Sequence, residues 1–238
     1  SDQALRALSG FLGPTLPGIL TGGLSLIAPD FVDNVVGKLD DLLGGAISSV
    51  GNFLFGGDVD IVDRGIDILR GGIEELTSGA VAKAFATLEI DKGVFRSDDE
   101  EDIARDLSDA TNRQFRAVFR NIFESVEEGA EQIGVLPSRI QSRLDDFALE
   151  AQRISLEGLN AEEQSEAINS VFSSIFDNIA SDVIPFIDEF QNSGEGLGET
   201  LARVSTQVGV LEETFLTLGK DISDAFTEQT ALVNQFGD

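Results

Sequence analysis

From Leu201 to Phe236 a stripe, apolar at every position but Gln229, recurs at intervals of three and four: Leu201, Val204, Val208, Leu211, Phe215, Leu218, Ile222, Ala225, Gln229, Leu232 and Phe236. Five heptads without a slip are the pattern of a left-handed coiled coil, whose a and d residues form a continuous seam. A helix of that span would be roughly 54 Å long. Ala225 and Gln229 are the weak positions, and a buried Gln can set register at a cost in stability. An intramolecular bundle helix carries a broader apolar face than this, so the spacing predicts a seam between chains. Phe215 and Phe236 are large for a two-stranded seam and point to three strands.

Upstream, the second half of the chain carries further helix signals. Ser97 with Glu100 reads as a capping box, with Asp98 and Asp99 in the first turn. The helix they predict carries Ile103, Leu107, Ala110, Phe115, Val118, Ile122 and Val126, and Gly129 and Gly134 mark its end. Arg113, Arg116 and Arg120 share a face of it; pairing with Asp109 and Glu124 four residues away accounts for that basic face without a phosphate ligand. Pro137 suits a first helical turn, and Ile140 to Ile154 continues that helix. Asn160 with Glu163 caps the next one, whose broad apolar face runs through Ile168, Phe172, Ile175, Phe176, Ile179 and Val183 to Phe190, with a break at Pro185. Gly194 to Gly198 reads as a flexible joint; no strand precedes it and no Lys follows it, so it is not a nucleotide loop.

The first part of the chain differs in kind. Residues 1–96 hold 13 acidic and 7 basic residues and 16 of the 25 Gly, whereas 97–238 hold 30 acidic and 9 basic. Ala7 to Pro29 and Leu42 to Gly57 carry no charge. The first run is long enough for a bilayer core, but Pro14, Pro17 and several Gly interrupt it; such residues are tolerated in lipid only when neighbouring helices satisfy the backbone. Gly18 and Gly22 form a G-x-x-x-G, a close-packing face for membrane helices. The two readings are burial inside a protein assembly and insertion in a membrane. Ile61, Ile66, Leu69, Ile73 and Leu76 recur at near-helical spacing and predict short amphipathic helices. Asp58, Asp60 and Asp63 resemble the start of a calcium loop, but Asp63 and Leu69 stand where its Gly and Glu are required.

These elements together predict an all-α chain: a Gly-rich apolar helical segment over 1–96, an amphipathic helical region over 97–193, and a coiled-coil helix over 194–238. The helices would run extended around an axis shared by several copies. The chain begins at Ser1 without an initiator Met, which reads as a segment of a longer polypeptide.

Composition narrows the chemistry. There is no His, Cys, Met, Trp or Tyr, so Ser-His and Cys-His nucleophile systems and the usual zinc, copper and iron–sulfur ligands are excluded. No catalytic residue, cofactor or metal ligand is predicted, and the chain reads as a non-enzyme. Sixteen basic against 43 acidic residues leave a net charge of −27, which disfavours binding to nucleic-acid phosphates.

A resemblance completes the reading. Leu156-Glu157-Gly158-Leu159, the run Glu166 to Ser173, Ile184-Pro185, Phe190, Gly194-Glu195-Gly196 and the run Glu199 to Val204 together resemble a C-terminal region of bacteriophage tail tape measure proteins, over about residues 155–205. The resemblance implies a multi-copy chain in the tail tube and tail tip, a homotrimer by the seam argument. It further implies contacts with the baseplate hub, distal tail and tail tube proteins. Setting tail length and helping the genome cross the host envelope, in some members by entering the host inner membrane, are also implied. The alternative is a membrane-inserting, pore-forming or toxin-like helical protein, in which the Gly-rich half forms a helical hairpin and Gly18 and Gly22 offer a packing face.

Overall fold

The computed structural model describes residues 35–37, 39, 43, 59–90 and 99–235. They form an α+β body from which one long helix emerges. The strands are β1 (Val59–Ile68), β2 (Ala82–Ile90), β3 (Asp99–Asp106) and β4 (Gln152–Ser155). The helices are α1 (Ile73–Ser78), α2 (Asp109–Gln132), α3 (Pro137–Asp146), α4 (Ala161–Val183) and α5 (Leu197–Gln235), with a 3-10 turn over Ile187–Phe190.

The expectation of an all-α chain of extended helices is therefore corrected. A four-stranded antiparallel sheet in the order β3-β2-β1-β4 forms one layer of the body. It takes strands from both sides of Arg96, so the Gly-rich and the acidic parts of the sequence contribute to one sheet.

Two local features hid the strands. In β1 the pairing with β2 shifts between Ile61 and Asp63. The extra residue of this bulge breaks the period-two alternation, so that Ile61 and Ile66, five residues apart, both pair with inward positions of β2 (Leu88 and Ala84). Five is not a strand spacing, so the period-two signal is lost across β1. In β3 a run of acids has poor strand propensity and good helix-start character. Pairing with β2 along its whole length overrides both. The helix expected from Ser97 starts instead at Asp109, where Ser108 Oγ accepts from the Thr111 N–H at 3.2 Å. Likewise the helix expected to reach Ile154 ends at Asp146, and Ile154 lies in β4.

The remaining helix signals hold. Pro137 opens α3. Asn160 Oδ1 accepts from the N–H groups of Glu162 and Glu163, while Glu163 reaches back to the Asn160 N–H at 2.9 Å. Beyond α2, Gly134 takes a positive φ of 86° and ends the helix with Val135 N–H donating to Ala130 O at 3.0 Å.

One core joins the two layers. Ile66, Ile68, Ala84, Ala86, Leu88 and Ile154 supply the inner face of the sheet. Phe115, Phe119, Ile122 and Val126 of α2 and Phe172, Phe176 and Ile179 of α4 supply the helical layer. The Phe172 ring lies 5.5 Å from Phe119 and 6.0 Å from Phe115, tilted against both. Val35, Leu39 and Leu43, at i, i+4 and i+8, are buried in the same core. On the outer face Phe85 is buried between Gly65 and Ala104. The Arg153 guanidinium roofs it at 4.1 Å while pairing with Asp67 at 2.8 Å and Asp102 at 3.1 Å.

Candidate self-association helix

Helix α5 has 39 residues, about 58 Å at 1.5 Å per residue. Among the described side chains of α5, burial is confined to residues 197–208, and the helix packs on α2, α4 and the 3-10 turn.

Two glycines permit that docking. A Cβ on Gly198 would stand 2.3 Å from the Phe176 ring, and one on Gly129 would stand 2.9 Å from the Leu201 side chain. Backbone and apolar side chain thus approach more closely than any other residue type allows.

Polar groups then fix the root. Gly194 turns the chain at φ 83°. The first N–H groups of α5 lack helical partners. Asp177 of α4 meets the need from a neighbouring element: its Oδ1 accepts from the Gly198 N–H at 2.9 Å. Glu199 completes the cap from within α5 by accepting from the Gly196 N–H at 3.2 Å. Burial pushes the Asp177 carboxyl up despite the Gly198 and Leu197 N–H groups, and the nearby Glu199 charge adds to the rise. Beside it, Arg203 pairs with Glu195 through two nitrogens, each at 2.8 Å, and donates to Phe190 O at 2.6 Å. The Arg203 guanidinium holds the Glu195 carboxyl down at about 2, against burial and with help from the Asn192 N–H and the Thr200 hydroxyl.

The predicted seam divides along this helix. Leu201 is 1% exposed and belongs to the body's core. Val204 and Val208 are half-buried. Leu211, Phe215 and Leu218 are 56%, 71% and 50% exposed. Ile222, Ala225, Gln229 and Leu232 fall within the span of α5, their side chains outside the described residues; Phe236 lies outside them altogether, as do Gly18, Gly22 and Ala7 to Pro29. Among the described residues no helix is long and apolar enough to cross a membrane, and no group of three or more acids is placed to hold a metal ion.

The Arg face of α2 resolves differently from its i,i+4 expectation. Arg116 donates to the Gly79 carbonyl at 2.7 Å, tying α2 to the C-terminus of α1. Among the described residues no ion pair joins Arg113 to Asp109 or Arg120 to Glu124. Arg120 and Glu124 instead line an open groove of about 450 Å³ floored by Ile73, Phe123 and Leu144.

Sequence reasoning missed the root. Asn192 followed three residues later by Glu195 was a visible cap signal, and the structure realises half of it, with Asn192 N–H donating to Glu195 at 3.1 Å. Asp177 carried no such signal, because its partners lie 21 residues away.

Comparison of the chain with protein-family models, with curated proteins and with solved structures finds no match in any of the three.

Proposed function

We propose that this chain is a non-catalytic structural segment that associates with copies of itself through the distal part of α5, in the setting of a phage tail tape measure protein near the tail tip. The observation that carries self-association is the exposure of Leu211, Phe215 and Leu218 at heptad spacing on a helix that has left its own body. An isolated helix in water gains little from intrinsic propensity and is held by packing of its apolar face. A second copy presents the same stripe in return, and three copies suit the large Phe215.

The tape-measure setting rests on the resemblance over residues 155–205, which runs through α4 and the root of α5. A folded α+β body favours the tip end of such a chain, beside hub and distal tail proteins, over an extended filler of the tube. A net charge of −27 per copy would repel passing DNA. The pore-forming alternative rests on the Gly-rich part, 1–96, with its uncharged runs 7–29 and 42–57, and among the described residues no helix is long and apolar enough to cross a membrane.

Sedimentation equilibrium of the full chain at several concentrations tests the reading. A trimer, or another defined oligomer, is expected, and Phe215→Glu should shift it toward monomer while leaving the melting temperature of the body unchanged. A monomer at every concentration sinks the proposal.

A further inference from the structure

We propose that the coiled coil between copies starts at Leu211, because the docked root of α5 withholds Leu201, Val204 and Val208 from it. The inference rests on the self-association reading and says which part of the seam a second copy can reach.

The seam of a coiled coil needs a neighbouring helix about 8–10 Å away along its whole length, with each knob entering a hole of four residues on that neighbour. At Leu201 that side is taken. Its side chain fills the space left by Gly129 of α2, 2.9–3.2 Å from where a Cβ would stand. Thr200 and Ser205, on either side of it, are equally buried. Val204 and Val208 are half-covered. A second copy of α5 cannot occupy the volume that α2 and α4 already fill. At Leu211, Phe215 and Leu218 the same stripe is open.

The two uses of the proximal seam are therefore mutually exclusive. The choice between them is set by the Glu195–Arg203 pair, the Arg203 bond to Phe190 O and the Asp177 cap on Gly198. Together they form a latch. Held, it keeps the body beside the start of a short coiled coil. Released, it frees Leu201, Val204 and Val208, and the seam lengthens toward the body by about three turns.

The absence of cysteine in the chain makes single-cysteine cross-linking a clean test. Val204→Cys, Phe215→Cys and Leu218→Cys would each be made in the full chain and mildly oxidised, with sedimentation equilibrium run alongside. Disulfide-linked species are expected for Phe215→Cys and Leu218→Cys and lost for Val204→Cys. Adding Glu195→Gln and Arg203→Ala to Val204→Cys should restore its cross-link, with circular dichroism confirming that the body stays folded. Cross-linking of Val204→Cys as readily as Phe215→Cys in the latched chain overturns the proposed starting point. A folded, unlatched Val204→Cys variant that still fails to cross-link overturns the latch. An oligomer in which neither Phe215→Cys nor Leu218→Cys cross-links also overturns the starting point. A monomer throughout instead removes the self-association reading itself.

Discussion

Single positions decide whether the layers can close. Gly65 sits in β1 opposite Phe85 and Ser155, and a Cβ there would stand 1.9 Å from the Ile154 carbonyl oxygen, a backbone atom that cannot swing away. Gly65→Ala should lower body stability by roughly 3 kcal/mol, the upper end of ordinary overpacking costs; thermal or denaturant melting reads it directly, and an unchanged midpoint refutes the close approach. Asp177 separates charge from hydrogen bonding. Its carboxyl is pushed up by burial, so the folded state binds protons more readily than the unfolded state. That contribution favours folding below the unfolded value and is lost as pH rises through the raised folded value. At neutral pH the charge is therefore a cost, while the accepted N–H of Gly198 is a gain. Asp177→Asn keeps an acceptor and should leave stability equal or higher at pH 7. Asp177→Ala removes the cap and should cost about 1 kcal/mol. Equal losses for both would show that the charge itself stabilises the root.

At the scale of elements, α5 joins two unlike halves. Its root is tied to α4 and the 3-10 turn by charge-assisted bonds; beyond it, Leu211, Phe215 and Leu218 stand exposed. Glu195 makes the root sensitive to acid. Its carboxyl falls from 4.5 to about 2 on folding, so the stability it contributes is present above 4.5 and is lost as pH falls through about 2. Amide hydrogen exchange along α5 should show the root of the helix losing protection in that window ahead of α2. Loss in the opposite order would place the weak point elsewhere. The bulge in β1 is the other element with consequences. By inserting a residue near Val62 it returns Ile61 and Ile66 to one face, which lets a strand of uneven spacing cover the core.

The whole molecule carries 43 acidic and 16 basic residues. Self-repulsion at that charge opposes the compact body and opposes association more strongly, because each added copy brings another −27. Raising ionic strength from about 0.01 to about 1 M shortens the Debye length from about 30 to about 3 Å. Both the melting temperature and the oligomeric mass should rise with salt. A fall in either would mean that the few ion pairs, such as Arg153 with Asp67 and Asp102, outweigh the net repulsion.

The parts of the molecule legible in its sequence are those decided by neighbours a few residues apart. The capping box of Asn160 and Glu163, the Pro137 start, the apolar face of α4 and the continuous helix under the heptad all depend on i, i+3 and i+4 relations. Local spacing reports such relations whatever the rest of the chain does. The sheet depended on distant pairing. β1 meets β4 some ninety positions later in the chain, its alternation is interrupted by the bulge, and β3 is written in residues that suit a helix start. Only the partner strands make those segments extended. The same holds for the root of α5, where Asp177 and Gly129 gain their roles from helices that pack against it. Where the seam turns from the body to solvent was therefore decided by tertiary structure alone: a period along one helix says which side is apolar, and only the neighbouring helices say how far along that side is already covered.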